Sequence, residues 1–401
     1  MAGLSCALHL EAEGIPVRIF ESDRSVGGRV QTDEVDGFLL DRGFQVYLDA
    51  YPETGKLLDL KALDLRRFEP GGLVYRGGRL HRLMDVFRRP AAAFQALKAP
   101  VGSFADKARV GLLRTKLSLK SLDQIESGED RTTESYLREF GFGEGMIDSF
   151  FRSFYGGVFL ERELQTSSRM FEFTFKMFTR GSATLPAHGM GEIPRQLAAR
   201  LPADSISLST RVDAVDATGA TLADGTRIEA SRVVVATDVS SMKRMLPDSK
   251  LEEPRWRSVT NLYFAAEASP VNEAIICLNG EGCGLVNNVC VLTDASPHYS
   301  ADGRALLSVS VLGMPEVEDL PGAVTRELRD WFGQEVDGWE HLRSDRIERG
   351  LPEQLPGAST APGFSECEGV YICGDHCLSA SIEGAVISGK KVAEAISVAG
   401  L

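Results

Sequence analysis

The stretch Met1–Ser22, MAGLSCALHLEAEGIPVRIFES, decides the fold. Leu4, Ala7 and Leu8 recur on one face at helical spacing, and Gly14 follows where a helix stops. IPVRIF then has the character of a strand, and it ends on Glu21 with Ser22 beside it. A small-residue helix running into a strand with an acid at its tip has the order of the second half of a dinucleotide-binding βαβ unit. There a glycine, here Gly3, lets helix and strand pack closely, and an acid about 20 residues on, here Glu21, accepts hydrogen bonds from a ribose hydroxyl. Alone, the pattern equally fits a surface glutamate after an ordinary strand.

The next residues shift that balance. ESDRSVGGRVQT starts with the same acid and carries Gly27, Gly28 and Arg29. Paired glycines let backbone approach a pyrophosphate, and a neighbouring guanidinium can meet it bidentately. A plain glycine turn is the competing reading.

Composition bounds the rest. With 401 residues the chain is long enough for two domains, or one large interleaved unit, and for a buried cofactor. Its 43% hydrophobic and 25% charged content is that of a globular protein, with no apolar run of membrane-spanning length. A net charge of -13 argues against nucleic acid as a partner. One block breaks the acidic average: between Arg76 and Lys120 eleven basic residues face only Asp85 and Asp106. That block reads either as a solvated helical face or as peripheral contact with an anionic membrane through residues 76–120. Seven cysteines without CxxC spacing predict thiols in the cytoplasm or another reducing compartment. Cys373, His376 and Cys377 match no zinc spacing, so no metal is expected.

Further along, residues 85–127 turn helical, and a helix capped by Thr132 or Thr133 stops by Gly141. Another begins near Ile193 or Pro194. Val233–Ala236 is a buried strand, and residues 255–315 form more sheet. The chain closes with a strand, a Gly374-Asp375 turn and a long helix.

With these segments in place, the sequence resembles the FAD-dependent superfamily of flavin amine oxidases, protoporphyrinogen oxidase and phytoene desaturases. The likeness rests on MAGLSCALHL, ESDRSVGGRVQT, LDRGFQVY, LPAHGMGEIPRQLAARL, RVDAV and VYICGDHCLSASIEGAVISGKKVAEAI. It implies an α/β protein: a Rossmann-like FAD-binding domain of the GR2 type, incomplete at its N-terminus, with an inserted α+β substrate domain. The expected division is 1–75, 185–250 and 355–401 for FAD, and 76–184 and 251–354 for substrate. Family members carry a strand and a GxG turn before the residues matching Met1–Gly3, so a start assigned at an internal methionine is expected.

The resemblance further implies that Glu21 binds the adenosine ribose, Arg29 lies by the pyrophosphate and Val212 offers backbone to adenine. Gly374 and Asp375 would approach the pyrophosphate and ribityl chain, while Ile382, Glu383, Gly384, Ala385 and Val386 start a helix facing the flavin. Amine oxidases of the family carry a lysine near flavin N5 where RSVTNLYFAAE has Thr260 and Asn261, and no catalytic base stands out. The expected reaction is therefore hydride transfer from a lipophilic or cyclic organic substrate to flavin, with oxygen or a quinone as acceptor. Amine oxidation, and a non-catalytic chain that has lost FAD, are the alternatives.

Overall fold

In the computed structural model, residues 1–247, 249, 252–358 and 363–399 are described. The larger of its sheets is set by the alternation in Trp256–Ala266. Leu262, Phe264 and Ala266 face one way, into a core with Val324, Leu328 and Trp331 of the helix Leu320–Phe332. Tyr263 and Ala265 face the other way and share a core with Leu4 and Leu8 of the first helix. The sheet thus separates a helix-covered back from a front turned toward the dinucleotide motifs.

Seven strands build this sheet, in the order Glu340–Pro352, Trp256–Ala266, Ala305–Leu312, Val286–Val291, Ile276–Asn279, Gly71–Arg76 and Arg79–Met84. Gly71–Arg76, which straddles the expected boundary at 75, runs parallel to Ile276–Asn279 and pairs Leu73 with Cys277. Gly77 and Gly78, at φ 59° and 73°, turn the chain tightly into Arg79–Met84, because a two-residue hairpin of this hand needs both turn residues left-handed. Helices between residues 93 and 180 pack on a second core in which Phe151, Tyr155 and Phe171 are buried.

At the dinucleotide end, Ile19–Phe20 pairs in parallel with Ile206–Ser207. The strand expected over IPVRIF is paired only at these two residues. A separate set joins Val233–Val235 in parallel to Val370–Ile372, which runs antiparallel to Ser365–Cys367. The first helix, Ala2–Ala12, packs against the long helix Ile382–Ala399. The predicted C-terminal stop holds: Gly14 lies just past the helix at φ 78°. The helix Thr133–Glu139 likewise begins as expected, with the Thr132 side chain accepting from Ser135 N.

One buried acid fastens the front of the sheet to the hairpin Thr32–Asp41, of which it is the last residue. Asp41 is 2% exposed. Its carboxylate accepts from Thr32 Oγ1, from Tyr299 OH at 2.7 Å and from Met190 N at 2.9 Å, while its carbonyl accepts from Tyr263 OH at 2.5 Å. Burial raises its pKa from 3.8 to about 6 against the pull of those donors. A raised acid binds its proton more readily folded than unfolded. Its contribution to stability is therefore complete below the unfolded value and is lost as pH climbs through the folded one, by on the order of 3 kcal/mol. Urea unfolding of the wild type and Asp41→Asn at acid and neutral pH checks this. The stability difference between the two should change by that amount between about pH 4 and pH 6, and a pH-independent difference would refute the assignment.

Candidate functional site: paired glycine motifs and a polar sheet face

The Gly27-Gly28 doublet adopts a conformation that side chains resist. Gly27 has φ 120°, and a Cβ there would lie 2.3 Å from Val30 O and 2.8 Å from Pro194 Cγ. Gly28 has φ 63°, but a Cβ there would meet nothing within 4 Å. The first glycine is fixed by its own fold, and the second leaves backbone open to a ligand.

Arg29 then reaches across the chain. Its Nη2 donates to Asp375 Oδ1 at 2.6 Å and its Nη1 to Gly350 O at 2.8 Å, with the guanidinium 5.6 Å from the Trp256 ring centroid. Gln45 Nε2 donates to the Arg29 carbonyl at 2.8 Å, so the LDRGFQVY loop closes over the same residue. Burial works against the Arg29 charge, but contact with Asp375 outweighs it and raises the pKa. Each terminal nitrogen keeps a second N–H for an anionic ligand.

The Gly374-Asp375 turn meets Arg29 from the other end of the sequence. Gly374 N donates to Ser388 Oγ at 3.0 Å, tying the turn to the long helix, and Asp375 is 5% exposed. The next residue was missed as a site residue by sequence reasoning. His376 Nε2 is buried without a hydrogen-bond partner, and burial lowers the imidazole pKa while Asp375 pulls it the other way. An orphaned ring nitrogen beside an Arg–Asp pair is what a polar ligand would satisfy. The available signal is its place directly after the Gly-Asp turn, whereas the sequence reading weighs His376 only as a metal ligand and sets that aside. Among the described residues no group of three His, Cys, Asp or Glu side chains is placed to hold a metal.

The helix starting at Ile382 has Ser381 ahead of it, whose Oγ accepts from Gly384 N at 2.9 Å and whose carbonyl accepts from Ala385 N at 3.0 Å. By helix geometry the Ile382 and Glu383 amides have no intrahelical acceptor and are free for a ligand. Gly384 is forced, since a Cβ there would lie 2.1 Å from Ser379 O, and the Val386 carbonyl accepts from Ser5 Oγ at 2.8 Å. The Glu383 side chain is engaged within the protein. Its carboxylate is buried and accepts from Glu53 N at 2.8 Å, from Thr54 N at 2.9 Å and from Thr54 Oγ1. It holds the N-terminus of the short helix Thr54–Leu57, so only its backbone is left for a cofactor.

Glu21 stands at the rim. Its Oε1 accepts from Asp23 N at 2.9 Å and from Ser22 Oγ at 3.3 Å, with Ser22 itself exposed. Its carbonyl accepts from Thr210 N at 2.8 Å, which brings in the strand that begins at Val212. Gly3 lies where a Cβ would be 3.1 Å from Ala236 Cβ. The motifs from both ends of the sequence therefore meet through the Arg29–Asp375 pair. An open glycine backbone, an orphaned imidazole, a helix N-terminus and a rim acid suit a dinucleotide with a pyrophosphate at its centre.

The front of the large sheet shares a core with the first helix through Tyr263 and Ala265. Asn261 accepts from Ser308 Oγ at 3.2 Å and Ser310 Oγ at 3.1 Å, and Asn288 Nδ2 donates to Ser310 Oγ at 3.3 Å. All four are buried, so the centre of this face is a ladder of amides and hydroxyls. Thr260 points elsewhere and donates to Gly313 O at 2.9 Å. The buried Lys176 is bound to the carbonyls of Leu117, Ser118 and Lys120, at the end of a different helix.

Comparison with known proteins shows the family and the fold. Protoporphyrinogen oxidase 2 of Arabidopsis thaliana is 28% identical over 160 residues, which is 39% of this chain and 30% of that protein. Coproporphyrinogen III oxidase of Propionibacterium freudenreichii subsp. freudenreichii is 28% identical over 169 residues, 40% of this chain and 30% of that protein. The matches thus span under a third of either relative's length. A solved structure of putrescine oxidase, from a redesign of its cofactor binding, superposes with a TM-score of 0.74 at 17% identity over 100% of this chain and 97% of that one, a likeness of fold. The model for flavin containing amine oxidoreductases matches residues 1–397, so the chain belongs to that family.

Proposed function

We propose that the chain oxidises a lipophilic or cyclic organic compound, in the manner of a porphyrinogen oxidase or desaturase rather than of an amine oxidase. The observation that carries the reading is the sheet front, where Asn261, Ser308, Ser310 and Asn288 form a buried neutral ladder. The local similarity to two porphyrinogen oxidases supports it. When bound, FAD supplies the hydride acceptor, with oxygen or a quinone restoring it.

The chain's own residues bind and orient. The Gly28 backbone, Arg29 and the His376 imidazole would hold the pyrophosphate and ribityl region, Glu21 the ribose and Val212 the adenine. The Ile382 and Glu383 amides would face the flavin with the positive end of their helix. The amide ladder would offer the substrate neutral hydrogen-bonding groups, without requiring that substrate to be a cation.

Anaerobic mixing of the flavin-loaded protein with candidate substrates tests this. Porphyrinogens or polyenes should bleach the flavin absorbance at rates at least about 100-fold above putrescine or aromatic amines, a gap worth roughly 3 kcal/mol in the barrier. Rapid bleaching by amines alone would establish amine oxidation instead. A protein that takes up no FAD would favour a non-catalytic role.

A further inference from the structure

Among the described residues, seven of the eleven exposed large apolar side chains lie between Val86 and Leu119. The same segment holds the basic block of an acidic protein. The helix Phe104–Leu119 shows how the two properties combine. Leu113 and Leu117 are 0% exposed and fix its inner face. At 3.6 residues per turn, Phe104, Ala108, Gly111, Leu112, Thr115 and Leu119 fall within an arc of roughly 100° on the outer side. Phe104, Leu112 and Leu119 are 69%, 64% and 82% exposed. Lys107 and Arg114 flank this stripe on one side, and Arg109 and Lys116 on the other. Its single acid, Asp106, is buried and accepts from Ser103 and Gly143.

Neighbouring segments extend the same surface. Phe87 lies against Gly111, and the Arg114 guanidinium sits 4.8 Å from its ring centroid while pairing with Asp85. Phe94, 65% exposed, has Lys98 Nζ at 4.1 Å, and Lys107 Nζ binds the Leu97 and Ala99 carbonyls, locking the helix Ala93–Lys98 beside Phe104. Lys98 and Lys116 contact rings rather than carboxylates.

We propose that this face docks on an anionic lipid surface, with Phe94, Phe104, Leu112 and Leu119 entering the headgroup boundary and the flanking lysines and arginines meeting lipid phosphates. A helix apolar on two opposite sides with cations between them matches such an interface, because each side chain buries its stem and presents its charge to the headgroups. Charge complementarity favours lipid over a second copy of the chain, whose identical basic face would repel it. No helix of the described residues is long and apolar enough to cross a membrane, so the contact is peripheral. The inference does not depend on the flavin chemistry.

The test is co-sedimentation of the full chain with phosphatidylcholine vesicles with and without phosphatidylglycerol, at low and high salt. Binding should require the anionic lipid and weaken with salt. Lys98→Glu and Lys116→Glu should each lower it at least about fivefold, and Leu119→Asp or Phe104→Asp roughly tenfold or more. Unchanged thermal unfolding would certify that these exposed substitutions spare the fold. Failure to bind anionic vesicles, or binding indifferent to the substitutions, overturns the proposal. So does a dimer in solution that Leu119→Asp dissolves while vesicle binding is absent.

Discussion

Replacing Arg29 with alanine is expected to strip FAD from the protein, lowering affinity roughly 10- to 100-fold, as loss of one charge-assisted contact to a phosphate does. The same change leaves Asp375, only 5% exposed, without the guanidinium that lies 2.6 Å away. The protein without cofactor should then lose about 2 kcal/mol, less than a fully buried pair would cost because the Arg29 side chain is 39% exposed. The two effects separate in a double-mutant cycle. Adding Asp375→Asn to Arg29→Ala should recover most of the stability, since an amide needs no counter-charge, yet recover little FAD affinity. Arg29→Lys should fall between, because an ammonium keeps the charge but cannot serve Gly350 O and Asp375 together. FAD titration by fluorescence and urea unfolding of the cofactor-free protein measure both quantities. Wild-type affinity in Arg29→Ala would remove Arg29 from the pyrophosphate site.

This pair also shows what a sequence can and cannot disclose. Gly27, Gly28 and Arg29 are legible because consecutive residues act on one ligand group, and Gly374-Asp375 is legible between a buried strand and a helix. That the two motifs bind each other, 346 positions apart, leaves no local trace. The role of the Glu383 side chain was hidden for a related reason. An acid in the first turn of a helix complements that helix's own dipole, so it looks identical whether it serves its own helix, a cofactor or, as here, Thr54 on a distant one. The Gly71–Arg76 strand could be seen as a hairpin arm from its Gly77-Gly78 turn. Its second partner, Ile276–Asn279, could not, because parallel pairing across two hundred residues imposes no pattern on either strand. The outer stripe of Phe104–Leu119 lay between: the basic excess was plain in the sequence, while only the buried Leu113 and Leu117 fix which apolar residues are left outside.

The largest effect on the fold is expected where two helices touch through backbone. A Cβ added at Gly389 would lie 2.1 Å from Ala2 O and 3.0 Å from Cys6 N. Both neighbours are main-chain atoms of the first helix, so no rotamer can relieve the clash and the helices must move apart. Separation would also stretch the bond from Ser5 Oγ to Val386 O, now 2.8 Å, and open the core around Cys6, Val392 and Ala393. Gly389→Ala should therefore cost about 3 kcal/mol or more even though alanine is the better helix former. Gly55 supplies the matched control: it too sits within a helix, Thr54–Leu57, but a Cβ there would meet nothing within 4 Å. Gly55→Ala should be neutral or stabilise by up to about 1 kcal/mol, through helix propensity and a less flexible unfolded chain. Urea unfolding of the two variants side by side distinguishes packing from propensity. Because the helix that carries Gly389 also presents the Ile382 and Glu383 amides, Gly389→Ala should weaken FAD binding as well, whereas Gly55→Ala should leave it unchanged. Equal stability of the two variants would mean that the first helix does not press on the last as closely as Ala2 O and Gly389 place it.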